Sequence, residues 1–312
     1  MVDTFNPETM REFVMAEEYH PMPRISIVIL NWRAWETTAR CIESLKPEPG
    51  AEVEIIVVDN ASCDGSAVAL QRRYPELTIL ESKANLGFAG GCNLGIQLAT
   101  KRGADFVWLL NNDVEVRSGA LSALLAKATA DPRVGAVGSV QYDTCNHQLV
   151  RVWGGGYVNF LTGIPASCSR PGELRRLQYL SAASVLLRGQ ALNETGLLDN
   201  QFFLYWEDTD LSFRLRAKGW RLAVAEDSLI HHRGFGSMDP ESAAYDYHFT
   251  WSSIRFLRKH APFPPLPIFI SVAGRLAKRL AARRWASAGA VWRAARASYP
   301  APSELRGETS HE

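Results

Sequence analysis

Four short apolar runs recur through the first third of the chain, and polar residues break off each one: Ile25–Leu30, Val53–Val58, Leu77–Leu80 and Phe106–Leu110. Runs of four to eight apolar, largely β-branched residues bounded this way read as strands buried on both faces. Between them lie segments of helical character: Glu36–Leu45, Ser66–Tyr74 with Asp64 or Ser66 as its cap, and a glycine-rich entry at Asn85 leading to a helix that ends near Lys101. Another helix, Ser118–Ala130, sets Leu121, Leu124 and Leu125 on one face. Strand and helix alternating through about 140 residues predict an α/β fold, a doubly wound and mostly parallel sheet flanked by helices, with right-handed crossovers.

Ligands of such sheets are met beyond the carboxyl ends of the strands. The first strand ends in Asn31-Trp32-Arg33, the second in Asp59-Asn60-Ala61-Ser62, and the fourth in Asn111-Asn112-Asp113. A carboxylate at that place is a hard oxygen ligand suited to Mg²⁺ or Mn²⁺ on a diphosphate. Asn, Asn and Asp are equally ordinary turn formers, so both readings of the stretch stand at this point. The loop after the first strand has no glycine cradle, and no GxxxxGK[ST] loop occurs anywhere. A nucleotide, if bound, must be held by polar strand ends and a metal.

From about residue 140 to 180 the alternation loosens around Trp153-Gly154-Gly155-Gly156-Tyr157, where the glycines permit close backbone approach, a mobile lid or a plain surface excursion. Leu180–Leu187 is a further apolar run. Glu207–Lys218 reads as a helix with Glu207, Asp208 and Asp210 in its first turn, Arg214, Arg216 and Lys218 late, and Gly219 closing it. Acids at a helix start are commonly capping groups. Here Phe202, Phe203, Tyr205 and Trp206 wall them, and apolar surroundings with like charges raise a carboxylate pKa towards the range useful for proton transfer. A short strand, Arg221–Ala225, precedes the pair His231-His232, which fits either satisfied surface groups or a ligand. From Tyr245 the chain is helical and basic, divided by the proline cluster at 262–267. Its Phe269, Leu276, Leu280, Trp285 and Trp292 alternate with Arg275, Lys278, Arg279, Arg283, Arg284, Arg293 and Arg296, as in a membrane-surface helix or a packed helix with a solvated basic face.

Composition narrows the alternatives. A net charge of +1 gives no electrostatic case for nucleic acid. The five cysteines are scattered without CxxC spacing, which argues against structural zinc and for a reducing, cytoplasmic setting. Residues 1–23 lack the apolar core of a signal peptide, and no run of about 18 apolar residues is present, so a soluble or peripheral protein is expected.

Together these segments resemble a family 2 glycosyltransferase of the GT-A fold, closest to its rhamnosyltransferase-like members. The likeness covers about residues 24–260. It is carried by Val57-Val58-Asp59-Asn60-Ala61-Ser62, Asn85-Leu86-Gly87-Phe88-Ala89-Gly90-Gly91 and Leu109-Leu110-Asn111-Asn112-Asp113-Val114, with Gly196–Asp199 leading into Tyr205–Leu211, and the 232–237 segment. The resemblance implies a domain at 24–260, divided into a nucleotide-sugar-binding half (24–140) and an acceptor and catalytic half (141–260), between an N-terminal extension (1–23) and a helical basic C-terminal tail (261–312). It implies that Asn31, Asp59, Asn85, Gly87, Asn111, Asn112 and Asp113 bind the nucleotide-sugar. Asp113 and His232 would hold a divalent metal, Mg²⁺ or Mn²⁺, with His231 the other candidate, and Glu207 and Asp208 would form the catalytic pair with Asp208 as base. Asn111 stands where the family's metal motif often has its first acid. The implied reaction is inverting, metal-dependent transfer of a sugar, rhamnose among the candidates, from a dTDP- or UDP-sugar to a hydroxyl of a glycan or lipid-linked acceptor. That fits cell-wall or polysaccharide synthesis, with peripheral contact of the tail on the inner membrane face. A nucleotidyltransferase would want a basic, glycine-rich phosphate loop after the first strand, and a non-catalytic nucleotide-sugar-binding protein would not need the Glu207-Asp208 pair.

Overall fold

A computed structural model describes residues 22–144, 149–233, 239 and 241–297. The N-terminal extension up to residue 21, Cys145, most of the segment after His232 and the last fifteen residues lie outside the described part.

The four apolar runs are strands: β1 (Arg24–Asn31), β2 (Glu52–Asp59), β3 (Thr78–Glu81) and β4 (Phe106–Asn111). They pair in parallel in the order β3-β2-β1-β4. Successive side chains of a strand point to opposite faces, and each face is covered. On one side Ile25, Ile27, Ile29 and Trp108 pack with α1 (Trp35–Ser44) and α4 (Ala120–Thr129); on the other Val28, Ile56, Val107 and Leu109 meet α3 (Gly87–Lys101). The intervening α2 (Ser66–Arg73) begins after Gly65, and Asp64 accepts the Ser66 N–H at 3.0 Å, so the acid serves the helix start from one residue further out than a cap.

The second half extends the sheet by mixed pairing. The apolar run at 180–187 is not one strand. It divides into β10 (Tyr179–Leu180) and β11 (Ser184–Arg188), and β11 runs antiparallel between β4 and β6 (Val134–Asp143). The strand expected at 221–225 continues as β12 (Arg221–His232) through an irregularity between Ala225 and Leu229, parallel to β6. The short β5 (Val114–Val116) closes that edge antiparallel to β12. Between 150 and 180, where the sequence pattern loosens, β7 (Val150–Trp153) pairs with β6. There β8 (Gly155–Asn159), β9 (Ile164–Ser167) and β10 form a separate three-stranded sheet. Its glycines serve close approach: a Cβ on Gly155 would lie 1.9 Å from the Tyr179 carbonyl oxygen, and one on Gly156 2.0 Å from that of Ala166.

Three helices follow α5 (Gly189–Thr195) and α6 (Glu207–Ala217): α7 (Ala243–His260), α8 (Pro265–Ala281) and α9 (Trp285–Arg296). Pro265 and Pro267 open α8, where an absent N–H costs nothing. The basic residues of this tail do not all face solvent. Arg275 and Arg279 reach the buried Asp246 of α7 at 2.8 and 2.7 Å.

Candidate active site

Strand register decides which polar ends meet. Asn31 lies opposite Asp59, and Leu30 opposite Asn111, so the ends of β2, β1 and β4 stand side by side. One hydrogen-bonded chain joins them. Asn31 Nδ2 donates to Asp59 Oδ1 at 2.7 Å, Thr38 Oγ1 donates to Asn31 Oδ1 at 2.7 Å, and Asn112 Nδ2 donates to Thr38 Oγ1 at 3.1 Å. Asp59 also accepts the Ser62 hydroxyl (2.5 Å) and backbone N–H (3.1 Å). Asn31 and Thr38 are fully buried, so Asn31 acts as a strut that aims Asp59. Thr38 carried no motif signal in the sequence; only its place one turn into α1 brings it here.

Asn85 and Gly87 form the tight entry to α3. Asn85 Oδ1 accepts the Gly87 N–H and the Asn60 amide, both at 3.0 Å, and Asn60 in turn accepts the Leu86 N–H at 3.0 Å. Gly87 has φ of +70°, and a Cβ there would fall 2.1 Å from the Phe203 carbonyl oxygen, which accepts the Phe88 N–H at 2.7 Å. Asn93, nearly two turns on, donates to the Leu198 carbonyl at 2.8 Å and to Asn200 at 2.6 Å. These contacts fasten the loop at 198–206 to α3. Asn60 and Asn93 stand inside recognisable segments, but Asn93's clamping role depends on a loop more than 100 residues away.

At the end of β4, Asp113 Oδ1 lies 3.2 Å from His232 Nε2, and the Asn111 amide lies 3.4 Å from the same nitrogen. The Asn111 side-chain oxygen is buried with no hydrogen-bond partner. His231 and His232 are consecutive on β12, so they face opposite sides of the strand. His232 turns to Asp113, while His231 sits edge-on to the Tyr142 ring, centroids 6.0 Å apart. Carboxylate, imidazole and a spare amide oxygen are a donor set fit for a hard divalent cation, with coordination left for a diphosphate. Among the described residues no group of three or more His, Cys, Asp and Glu side chains converges, so Asp113 and His232 are the ionisable members of such a set. Beside Asp113 opens a cleft of about 820 Å³ bordered by Thr37, Arg40, Asn112, Arg151 and Arg233, a size suited to a small ligand.

Glu207 and Asp208 begin α6 directly after Tyr205 and Trp206, which have φ of +68° and +71°. Two successive non-glycine residues in the left-handed region store strain that the surroundings must hold. Trp206 is buried against Phe249 and Phe256, and Ser252 donates to the Leu204 carbonyl at 2.9 Å. Asp208 Oδ2 accepts the Ala182 N–H at 3.0 Å, and Oδ1 accepts from Thr209 N (2.6 Å) and Oγ1 (3.1 Å). Burial pushes the Asp208 carboxyl up, against the pull of those donors. Glu207, whose Oε2 is buried without a partner, is pushed well above the usual range by burial and then by the Asp208 charge. Asp210 goes the other way: burial alone would raise it, but His260, Lys259 and Arg214 at 2.7–2.8 Å lower it to about 2. It is a structural ion cluster beneath the pair.

Two adjacent residues link the two motifs. Ala182 gives its N–H to Asp208, and the next residue, Ala183, gives its carbonyl to the Asn111 N–H at 3.0 Å. The acid pair and the metal-type motif, nearly 100 residues apart in sequence, are thereby neighbours. Tyr179, two residues before Ser181, lies close enough to Asp208 that the carboxylate adds to the burial that raises its phenol.

Acids and amides at the ends of parallel strands, with a carboxylate pair brought beside them, are the arrangement expected of a GT-A-type glycosyltransferase. Residues 26–152 match the family model described as glycosyl transferase family 2. The chain is 28% identical over 281 residues to an N-acetylglucosaminyl-diphospho-decaprenol L-rhamnosyltransferase of Mycobacterium tuberculosis, covering 82% of this chain and 91% of that one. It is also 36% identical over 104 residues to a galactofuranosyltransferase of the same species, covering 32% and 34%. Residues 26–152 are thus similar to glycosyltransferase family 2, and most of the chain is similar to a rhamnosyltransferase. Its fold is shared with a mannosyltransferase from Pyrobaculum calidifontis solved with GDP-mannose and Mn²⁺ (TM-score 0.53, 19% identity, 95% of this chain and 83% of that one). It is shared too with GalNAc-T7 solved with UDP, GalNAc and Mn²⁺ (TM-score 0.59, 14% identity, 77% of this chain), of which the match spans about half the length, 48%.

Proposed function

We propose that this glycosyltransferase moves a sugar, with rhamnose the first candidate, from a dTDP- or UDP-sugar to a hydroxyl of a lipid-linked or other glycan acceptor, with inversion and with a divalent metal. The observation that carries the reading is the junction at Ala182-Ala183, which sets Asp208 beside the strand end bearing Asn111 and Asp113. Asp113 and His232 would hold Mg²⁺ or Mn²⁺, with the spare Asn111 oxygen beside them. Such an ion supplies charge neutralisation to the departing diphosphate. Asp59, aimed by Asn31, and the Asn85–Gly87 turn would meet the nucleoside, and Asn112 would face the cleft with Asp113.

In this assignment Asp208 takes the proton of the attacking hydroxyl, an effect of about 10²–10⁴-fold. Its fixed backbone donors hold it in one orientation, and burial with the Asp208 charge pushes the Glu207 carboxyl up, which disfavours a second negative charge beside it. Attack from the face away from the diphosphate inverts the anomeric carbon, and no protein nucleophile is called for. The two halves, 24–140 and 141–260, would serve donor and acceptor. The name of the mycobacterial relative supports a lipid-linked acceptor. No helix among the described residues is long and apolar enough to cross a membrane, and contact with the inner membrane face from the cytoplasm would be peripheral, through the tail at 261–312.

The test is release of nucleoside diphosphate from a panel of dTDP-, UDP- and GDP-sugars, with Mg²⁺ or Mn²⁺ and a polyprenyl-diphosphate-linked N-acetylglucosamine. Acceptor-dependent release with an anomerically inverted product is expected. Donor binding without turnover on any acceptor would instead favour a nucleotide-sugar-binding protein, the reading that Asn111 invites.

A further inference from the structure

Helix α8 is inside out. Its inward positions, Pro267, Ser271, Arg275 and Arg279, recur every four residues and carry three polar side chains, with Ile268 beside them packed against the cluster of Phe256 and Leu257. The two arginines end on Asp246, which is fully buried in α7. Its outward positions include Leu266, Phe269, Ala273, Ala277 and Leu280, an apolar stripe at helical spacing in which Phe269 is 72% exposed. A helix that turns its arginines inward and presents an apolar stripe outward leaves that stripe without a hydrophobic partner among the described residues.

A second element extends the stripe. The turn of the β8–β9 hairpin presses on the start of α8: a Cβ on Gly163 would lie 2.8 Å from the Pro267 carbonyl oxygen and 3.1 Å from the Ser271 Cβ. That turn holds out Leu161 and Ile164, 62% and 56% exposed. Phe263, just before α8, is exposed as well. On α9, Trp285 and Trp292 stand seven residues apart, both exposed, which places them on one face.

The charge around the patch names the partner. From Pro265 to Arg296 there is no Asp or Glu. Of seven basic residues there, Arg275, Arg279 and Arg284 turn inward to Asp246 and Glu241, while Lys278, Arg283, Arg293 and Arg296 are exposed. A second copy meeting this face by two-fold symmetry would set cation against cation with no acid of its own between them. Apolar side chains rimmed by tryptophan and arginine fit the boundary between acyl chains and anionic headgroups.

We propose that the outward face of α8, with the β8–β9 turn, seats the protein on a lipid bilayer. Phe269, Leu266 and Leu280 enter the acyl region, and Trp285, Trp292 and the exposed cations lie at headgroup level. The proposal deepens the lipid-linked acceptor reading, on which it rests. It changes the physics expected of the tail: apolar insertion dominates, because the inward arginines are spent on Asp246. The hairpin also gives the seat a route to chemistry, since β8 pairs with β10, whose Tyr179 lies by Asp208.

The experiment is flotation of the full chain with vesicles of phosphatidylcholine alone and with added phosphatidylglycerol, at low and high salt. Binding to both is expected, stronger on the anionic vesicles, with a large part surviving high salt. Phe269→Glu should weaken binding on the order of tenfold or more on either vesicle. Its unfolding temperature and its release of nucleotide from the donor in the presence of a soluble acceptor should stay unchanged. Lys278→Glu with Arg283→Glu should remove only the anionic increment. Absence of flotation, binding abolished by salt and indifferent to Phe269→Glu, or a dimer that Phe269→Glu dissociates in sedimentation each overturns the proposal. A protein that floats but turns over no donor loses the catalytic reading and keeps this surface; one that turns over donor without floating does the reverse.

Discussion

Asp208→Asn keeps the size of the proposed base and removes its basicity. The wild-type carboxylate accepts three hydrogen bonds, from Ala182 N, Thr209 N and Thr209 Oγ1. An asparagine has one carbonyl oxygen, best kept on the two Thr209 donors, which leaves its NH₂ facing the Ala182 N–H. Leaving that donor unsatisfied costs about 1–3 kcal/mol, a fall of a few degrees in unfolding temperature for a domain of this size. With a total stability of roughly 5–15 kcal/mol, the variant stays folded at assay temperature. The kinetic loss should be about 10²–10⁴-fold, or roughly 3–5 kcal/mol of barrier, and so cannot be explained by unfolding. The assay is nucleotide release at saturating donor and acceptor, with donor affinity measured by calorimetry. Wild-type turnover should also decline on the acid side at a pH above the ordinary carboxylate range, because burial pushes Asp208 up and the base must be ionised; the variant should lack that limb. Turnover within about tenfold of wild type, or a loss matched by lost donor affinity, refutes the assignment.

Asp113→Ala should abolish the gain in donor affinity that Mn²⁺ confers, with His232→Ala weakening it; wild-type affinity indifferent to EDTA would remove the metal from the mechanism. Asp210→Asn leaves Arg214, Lys259 and His260 short of a buried counter-charge and should cost about 3 kcal/mol, read by chemical denaturation. Because the native pKa is depressed to about 2, that stability is present above the unfolded carboxylate value and is lost as pH falls through it towards 2; the variant should show a flatter acid profile. For Glu207 the sign is opposite: its raised pKa contributes stability at low pH that disappears as pH rises through the native value, so Glu207→Gln should flatten that decline in unfolding temperature. Gly87→Ala puts a Cβ 2.1 Å from the Phe203 oxygen at a positive φ. It should destabilise by about 2 kcal/mol or more and lower turnover, since the loop that moves carries Glu207 and Asp208; unchanged melting would show the α3 entry to be more yielding than its geometry implies.

The parallel half of the sheet was legible because its cause is local. Ile25–Leu30 and Phe106–Leu110 are apolar on both faces, which only a strand covered twice can satisfy, and each ends where polar residues begin. The same locality exposed Asn111-Asn112-Asp113 and Glu207-Asp208 as motifs. What local pattern cannot carry is pairing at a distance. The run at 180–187 gave no sign that its middle, Ala182-Ala183, would break out of strand and bond to both motifs. Two adjacent histidines are alike in sequence; strand alternation on β12, in register with β5, turns His232 and not His231 to Asp113. The tail reads as apolar and basic residues interleaved, and either set could have faced the protein. A buried Asp246, about thirty residues earlier, decides it: an uncompensated charge in the interior costs more than exposed hydrocarbon, so the arginines of α8 turn inward and Phe269 turns out.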